Sequence, residues 1–190
     1  MYLLTIIIIF IYNSIVNYML LRIAVLLYLL SSSLVLAHST KKKSLKSHEH
    51  GVGILNIAQE ENILLFEFEI PGADIVGFEY EAVTDEDKKK VDESLNKLSN
   101  YKNMLILPAS AECSIAESKA TVLNEGKHSE FIANYKVSCN KIELLKRIYI
   151  KYFKNFELSK KLNIKIFGKN KKSAYVIDRS KKIINVKNHF

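Results

Sequence analysis

Downstream of residue 50 the chain alternates apolar and polar residues in short runs, the period of a half-buried β-strand. The clearest run sets Leu64, Phe66, Phe68 and Ile70 against Leu65, Glu67 and Glu69, and Pro71-Gly72 stops it. The same rhythm predicts strands over 52–58, 104–107, 113–115, 120–123, 130–138, 162–166, 174–177 and 183–186. Turns are expected at 59–62, 124–126 and 168–170. Residues 142–156 fit both periods and are read as a short helical turn passing into a strand. One stretch keeps a helical period throughout: Val91, Leu95 and Leu98 form its apolar stripe. Thr84 is a suitable N-cap, Asp85, Glu86 and Asp87 complement the positive helix end, and Ser99-Asn100 closes it. The prediction is an α+β domain, mainly antiparallel β with a sandwich-like sheet, and one clear helix near 85–99.

The first 37 residues break this pattern. They carry one charge, Arg22, and no acid. Met19 to Arg22 resembles the basic n-region of a signal peptide, and 23–30 its apolar core. Val35-Leu36-Ala37 supplies the small or branched residues of a cleavage site. The expectation is a signal peptide over 1–37, cleaved after Ala37, with translation reading best from Met19. A retained membrane anchor is the alternative, since the segment is long enough to span a bilayer. Residues 38–50 then form a flexible, basic lead-in whose end carries histidines, and 51–190 a single globular domain.

Charge is unevenly spread. Residues 51–140 hold 8 basic and 16 acidic side chains, whereas 141–190 hold 15 basic and 3 acidic. In an exported chain, nucleic acid is not the expected partner, and a solvated lysine-rich face or an inner-membrane docking face remains. The two cysteines, Cys113 and Cys139, are even in number and both fall in phase with apolar neighbours, so a disulfide is expected between them. Loop-closure entropy makes such a bridge worth about 3 kcal/mol.

The chemistry concentrates at Ser47-His48-Glu49-His50-Gly51. On extended backbone, His48 and His50 would leave the same face with Cα atoms roughly 6–7 Å apart. Two such imidazoles can converge on one divalent cation, zinc above all.

The run His48-Glu49-His50-Gly51-Val52-Gly53-Ile54-Leu55-Asn56-Ile57-Ala58 resembles the opening of the zinc-regulated periplasmic ZrgA-like family of proteobacterial proteins. The resemblance continues through 71–79, the helix from Asp85, the Leu107-Pro108-Ala109 step, Cys113, His128-Ser129-Glu130-Phe131, Tyr135 and Cys139. It implies a periplasmic, non-catalytic, zinc-binding accessory protein that supports zinc uptake with an ABC-type transporter. Two features depart from that pattern. The loop before His128 holds no further histidine, and Tyr80 stands where the family often has histidine. One modest site is therefore expected rather than a high-capacity store.

Four ligands are the usual zinc complement. His48 and His50 supply two. His128 and Glu130 form a second pair two residues apart, expected on the outward face of their strand, opposite Phe131 and Tyr135. The candidate metal ligands are thus His48, His50, His128 and Glu130, with Glu49 and Glu79 as lesser candidates. His189 is assigned to a frayed C-terminus with no role. Two other readings stay open. A metal-independent adaptor could dock on an inner-membrane protein through the basic C-terminal region. An N-terminal His38, exposed by cleavage, could bind copper through its amine and ring. No Gly-x-Ser-x-Gly run, His-Glu-x-x-His helix or Cys-x-x-Cys pair argues for an enzyme.

Overall fold

The alternating segments pair into two sheets in the computed structural model, which describes residues 15–23 and 49–190. The segment over 1–37 as a whole, its cleavage position, His38, the lysines at 41–43 and His48 lie outside the described residues. The chain divides into two compact units, Met1–Lys43 and Ser44–Phe190. In the first, residues 15–23 form a helix, α1, on which the Arg22 guanidinium donates to the Tyr18 hydroxyl at 2.8 Å. No helix among the described residues is long and apolar enough to cross a membrane.

The second unit opens with a hairpin of β1 (Val52–Glu60) and β2 (Ile63–Pro71). Three short or medium helices follow: α2 (Gly72–Ile75), α3 (Asp85–Ser99) and α4 (Tyr101–Met104). As expected, the Thr84 side chain caps α3 by accepting from the Asp87 amide at 3.1 Å. After β3 (Leu105–Ile106) come the long hairpin strands β4 (Cys113–Glu125) and β5 (His128–Cys139). Then follow β6 (Arg147–Ile150), α5 (Tyr152–Asn155), β7 (Lys161–Phe167), β8 (Lys172–Asp178) and β9 (Ile183–Asn185). The larger sheet has the order β4-β5-β2-β1-β7-β8, and the smaller β3-β6-β9. All pairings are antiparallel except β1 with β7, which is parallel.

The core follows from the alternation. Leu55 and Ile57 of β1, Leu64 to Ile70 at even positions of β2, Phe131 and Val137 of β5, and Leu162 to Ile166 at even positions of β7 are fully buried. Leu98 of α3 joins the same cluster, as do Ile148, Ile150 and Ile184 of the smaller sheet. Buried side chains of this size each stabilise the fold by about 1.5–3 kcal/mol. The ring of Tyr152 sits 6.0 Å from that of Phe68 and ties α5 to β2. Tyr135 donates its hydroxyl to the Leu98 carbonyl, and burial pushes its ionisation upward.

Four local expectations are corrected. Residues 113–115 and 120–123 belong to one strand, β4, whose register shifts between Ile115 and Glu117. That bulge reverses the phase of alternation and makes one strand read as two. Ile115 is exposed, and Cys113, expected in phase with apolar neighbours, is only half-buried. The turn expected at 124–126 falls later, because Glu125 still pairs with His128 and only Gly126-Lys127 lies between the strands. The C-terminus is docked rather than frayed. His189 is 1 % exposed, its Nε2 lies 2.6 Å from the Ser173 hydroxyl, and its carbonyl accepts from the Asn170 amide. Finally, Glu130 does not face outward to solvent: it is 3 % exposed. Strand β5 is interior to the sheet, and Glu130 is flanked by Pro71 of β2 and Leu123 of β4.

The expected disulfide is present. Cys113 and Cys139 face each other across the first rung of the β4–β5 pair, with Cα atoms 3.9 Å apart.

Candidate functional site

Three chain segments meet at one end of β1, β2 and β5. The first is the turn that leads into β1. The Val52 amide donates to the Glu49 carbonyl at 3.1 Å, and His50 sits within that turn. Gly51 adopts φ +86°, a conformation that L side chains rarely take, and an added Cβ would press on the Lys160 side chain. Its carbonyl accepts from the amides of both Lys160 and Lys161 at 2.8 Å, which fixes the turn to the start of β7.

The second segment is α2 and the loop after it. Pro71 ends β2 and Gly72 begins α2 in close contact with β5: a Cβ at Gly72 would lie 1.9 Å from Ser129 Oγ. Only glycine allows this approach. Two residues on, Asp74 is 3 % exposed and its Oδ1 accepts from the Gly51 amide at 2.7 Å. Burial pushes the Asp74 pKa up, against the opposing pull of the Gly51 amide and the His50 ring. The Ser159 hydroxyl also pulls it down, although Oδ2 has no partner in good hydrogen-bond geometry among the described residues. Beyond α2, Phe78 and Tyr80 stack with ring centres 4.6 Å apart, and the Tyr80 hydroxyl donates to Asp87 at 3.3 Å. Residues on either side of Glu79 are thereby held against each other and against the first turn of α3.

The third segment is the start of β5, where His128 follows the Gly126-Lys127 turn. Next to it, Ser129 is buried against Gly72.

Glu79 is where these segments converge. Its Oε2 lies 2.7 Å from His128 Nδ1, and its Oε1 lies 3.3 Å from His50 Nε2. The glutamate side chain is 13 % exposed, while those of His50 and His128 are 67 % and 60 % exposed. Oε1 is buried and makes no hydrogen bond among the described residues. A half-sequestered carboxylate therefore sits between two imidazoles that solvent can reach.

The two sides differ in what they can do. Ligands 2.1 Å from a tetrahedral zinc stand about 3.4 Å from one another. The His50–Glu79 separation matches such an edge. The His128–Glu79 separation is that of a hydrogen bond, in which an ionised carboxylate can only accept, so Nδ1 carries the proton. In a neutral ring Nε2 then carries the lone pair, the arrangement in which a carboxylate orients a metal-binding histidine. Among the described residues, no group of three or more His, Cys, Asp or Glu is already disposed around a metal position. The donor types suit zinc, and closure on an ion requires a ring or carboxylate rotation.

Of the sequence candidates, His50 and His128 are brought to one carboxylate, and Glu79, a lesser candidate, is the group that joins them. Glu130, two residues after His128 on β5, is buried. Glu49 is exposed and contributes its carbonyl to the turn. His48 lies outside the described residues. Asp74 was missed as a functional residue. Its one sequence signal is its place in the Pro-Gly-Ala-Asp step, which does not tell a buried acceptor from a solvated turn.

Residues 47–186 match the family described as ZrgA family zinc uptake protein. No curated protein matches the chain.

Proposed function

We propose that this chain, which belongs to the ZrgA family of zinc uptake proteins, serves zinc uptake by binding the ion as cargo at His50, Glu79 and His128. The observation that carries the reading is the convergence of two histidines, from the turn before β1 and the start of β5, on the Glu79 carboxylate. His48, two residues before His50 in sequence, and Glu130 of β5 are the remaining ligand candidates. In the metal-free state Glu79 holds His128 in one tautomer by accepting from Nδ1. With zinc bound, the two imidazole nitrogens would supply borderline donors and the Glu79 carboxylate a hard oxygen donor, a combination that zinc accepts.

The exposed rings favour reversible binding, because a cargo site must load from and unload to solvent or a partner. The protein is non-catalytic in this reading, works in the periplasm after export, and passes zinc to an ABC-type transport system at the inner membrane. The disulfide supports export to an oxidising compartment.

The test is zinc titration of apo protein by calorimetry, comparing the wild type with Glu79→Gln, His50→Ala and His128→Ala. Each substitution is expected to weaken binding at least about tenfold. Affinities equal to the wild type in all three would remove this site.

A further inference from the structure

We propose that the outer face of the three-stranded sheet docks on an anionic phospholipid bilayer. The inference is independent of the zinc site and concerns the opposite charge pole of the chain.

The register supplies the first observation. Ile106 of β3 pairs with Tyr149 of β6, and Tyr149 pairs with Ile183 of β9. The three side chains therefore form one row across the sheet, on the face away from the core. They are 46 %, 39 % and 40 % exposed, while Leu105, Ile148, Ile150 and Ile184 on the inner face are buried. Strand alternation in a solvated sheet puts polar residues on the outer face. Here the outermost row is apolar on all three strands.

Charge supplies the second. Arg147 lies on the same face, two residues before Tyr149, and exposed Lys181 and Lys187 flank β9. All belong to the stretch 141–190, which carries 15 basic and 3 acidic residues. An apolar row with an aromatic hydroxyl, with cations beside it on β6 and at both ends of β9, matches the headgroup level of an acidic membrane. The apolar side chains enter the acyl boundary, and the cations remain among the phosphates. A bilayer offers a diffuse array of phosphates to cations that are spread over several elements. An acidic protein would instead call for cations held in fixed positions. Each basic residue brought to such a surface strengthens partitioning about fivefold.

The chain has no tryptophan, so Tyr149→Trp makes a single fluorescent reporter on the face itself. The full chain carrying Y149W is mixed with vesicles of pure phosphatidylcholine, or of phosphatidylcholine and phosphatidylglycerol in equal parts. A blue shift of the emission is expected with the phosphatidylglycerol vesicles and not with pure phosphatidylcholine. Because the reporter sits on this face, attachment of the chain through its apolar N-terminal segment does not by itself produce the shift. In the same background, Arg147→Glu/Lys181→Glu/Lys187→Glu is expected to weaken partitioning into the acidic vesicles at least about tenfold. A control with the same change in net charge elsewhere, Lys88→Glu/Lys102→Glu/Lys119→Glu, is expected to stay within about threefold of the parent. Absence of the shift on acidic vesicles overturns the proposal, as does an equal loss in the two triple variants. A shift that needs protein-containing membranes and is absent on pure lipid overturns it in favour of an acidic protein partner.

Discussion

The backbone amide of Gly51 donates to Oδ1 of Asp74 across 2.7 Å, and both groups are buried. This single bond joins the turn that carries His50 to the helix that leads into Glu79. It matches in length the 2.7 Å link between His128 and Glu79, which joins β5 to the loop after that helix. The Pro71-Gly72 break in β2 is what lets the chain fold back far enough to make the Gly51–Asp74 bond.

Asp74→Ala should leave the Gly51 amide buried without an acceptor. The expected cost is about 1–3 kcal/mol of stability in chemical denaturation, together with weaker zinc binding because the His50 turn is released. Asp74→Asn keeps an acceptor oxygen and should bind zinc like the wild type. A zinc affinity in D74A equal to the wild type would separate Asp74 from the site.

The same residue predicts a pH dependence. Burial raises the Asp74 pKa in the folded state above its unfolded value. The folded protein therefore holds this proton more tightly, and the group's contribution is most favourable at low pH. It is lost as pH rises from about 4 through the raised folded value. Asp74→Asn removes that penalty, so the stability of D74N relative to the wild type should increase with pH across this window. Denaturation curves at several pH values read the difference directly, and a gap that is flat or narrows with pH contradicts it.

Gly72→Ala places a methyl group 1.9 Å from Ser129 Oγ and 2.8 Å from the Phe78 carbonyl. Neither neighbour is the free end of a long side chain, so α2 must lift from β5. A loss of about 1–3 kcal/mol is expected. The separation of Glu79 from His128 should increase with it, seen as a loss of zinc affinity beyond that of a surface Gly→Ala control.

Removing the disulfide with Cys113→Ala/Cys139→Ala should lower stability by about 3 kcal/mol while leaving zinc affinity unchanged. The bridge closes one end of the β4–β5 pair, and His128 stands at the other. Loss of zinc binding in a variant that is still folded by circular dichroism would show that the two ends are coupled.

Acid should release zinc, since protons compete with the ion for the imidazole nitrogens. Titrations between neutral and mildly acidic pH are expected to show falling affinity with proton uptake on release. Most of that dependence should disappear in the His50→Ala/His128→Ala variant.

Local periodicity made much of this protein readable from its amino acids alone. The alternation in β2 and the helical stripe and Thr84 cap of α3 rest on interactions that short-range spacing encodes, and the Cys113–Cys139 pairing was legible because the sequence holds two cysteines. His50 and His128 could be named as ligand candidates because their side-chain chemistry is restricted. Tertiary structure alone decided how they meet. A period of two says which residues share a face of a strand, but not whether another strand or loop covers that face, and so Glu130 turned out buried. A bulge that shifts phase within β4 erased the continuity of a strand that pairing across the sheet restores. The parallel pairing of β1 with β7 and the arrival of Glu79 between two histidines depend on contacts between residues far apart along the chain. No local pattern carries that information, because the free energy that selects such contacts comes from packing the whole core at once.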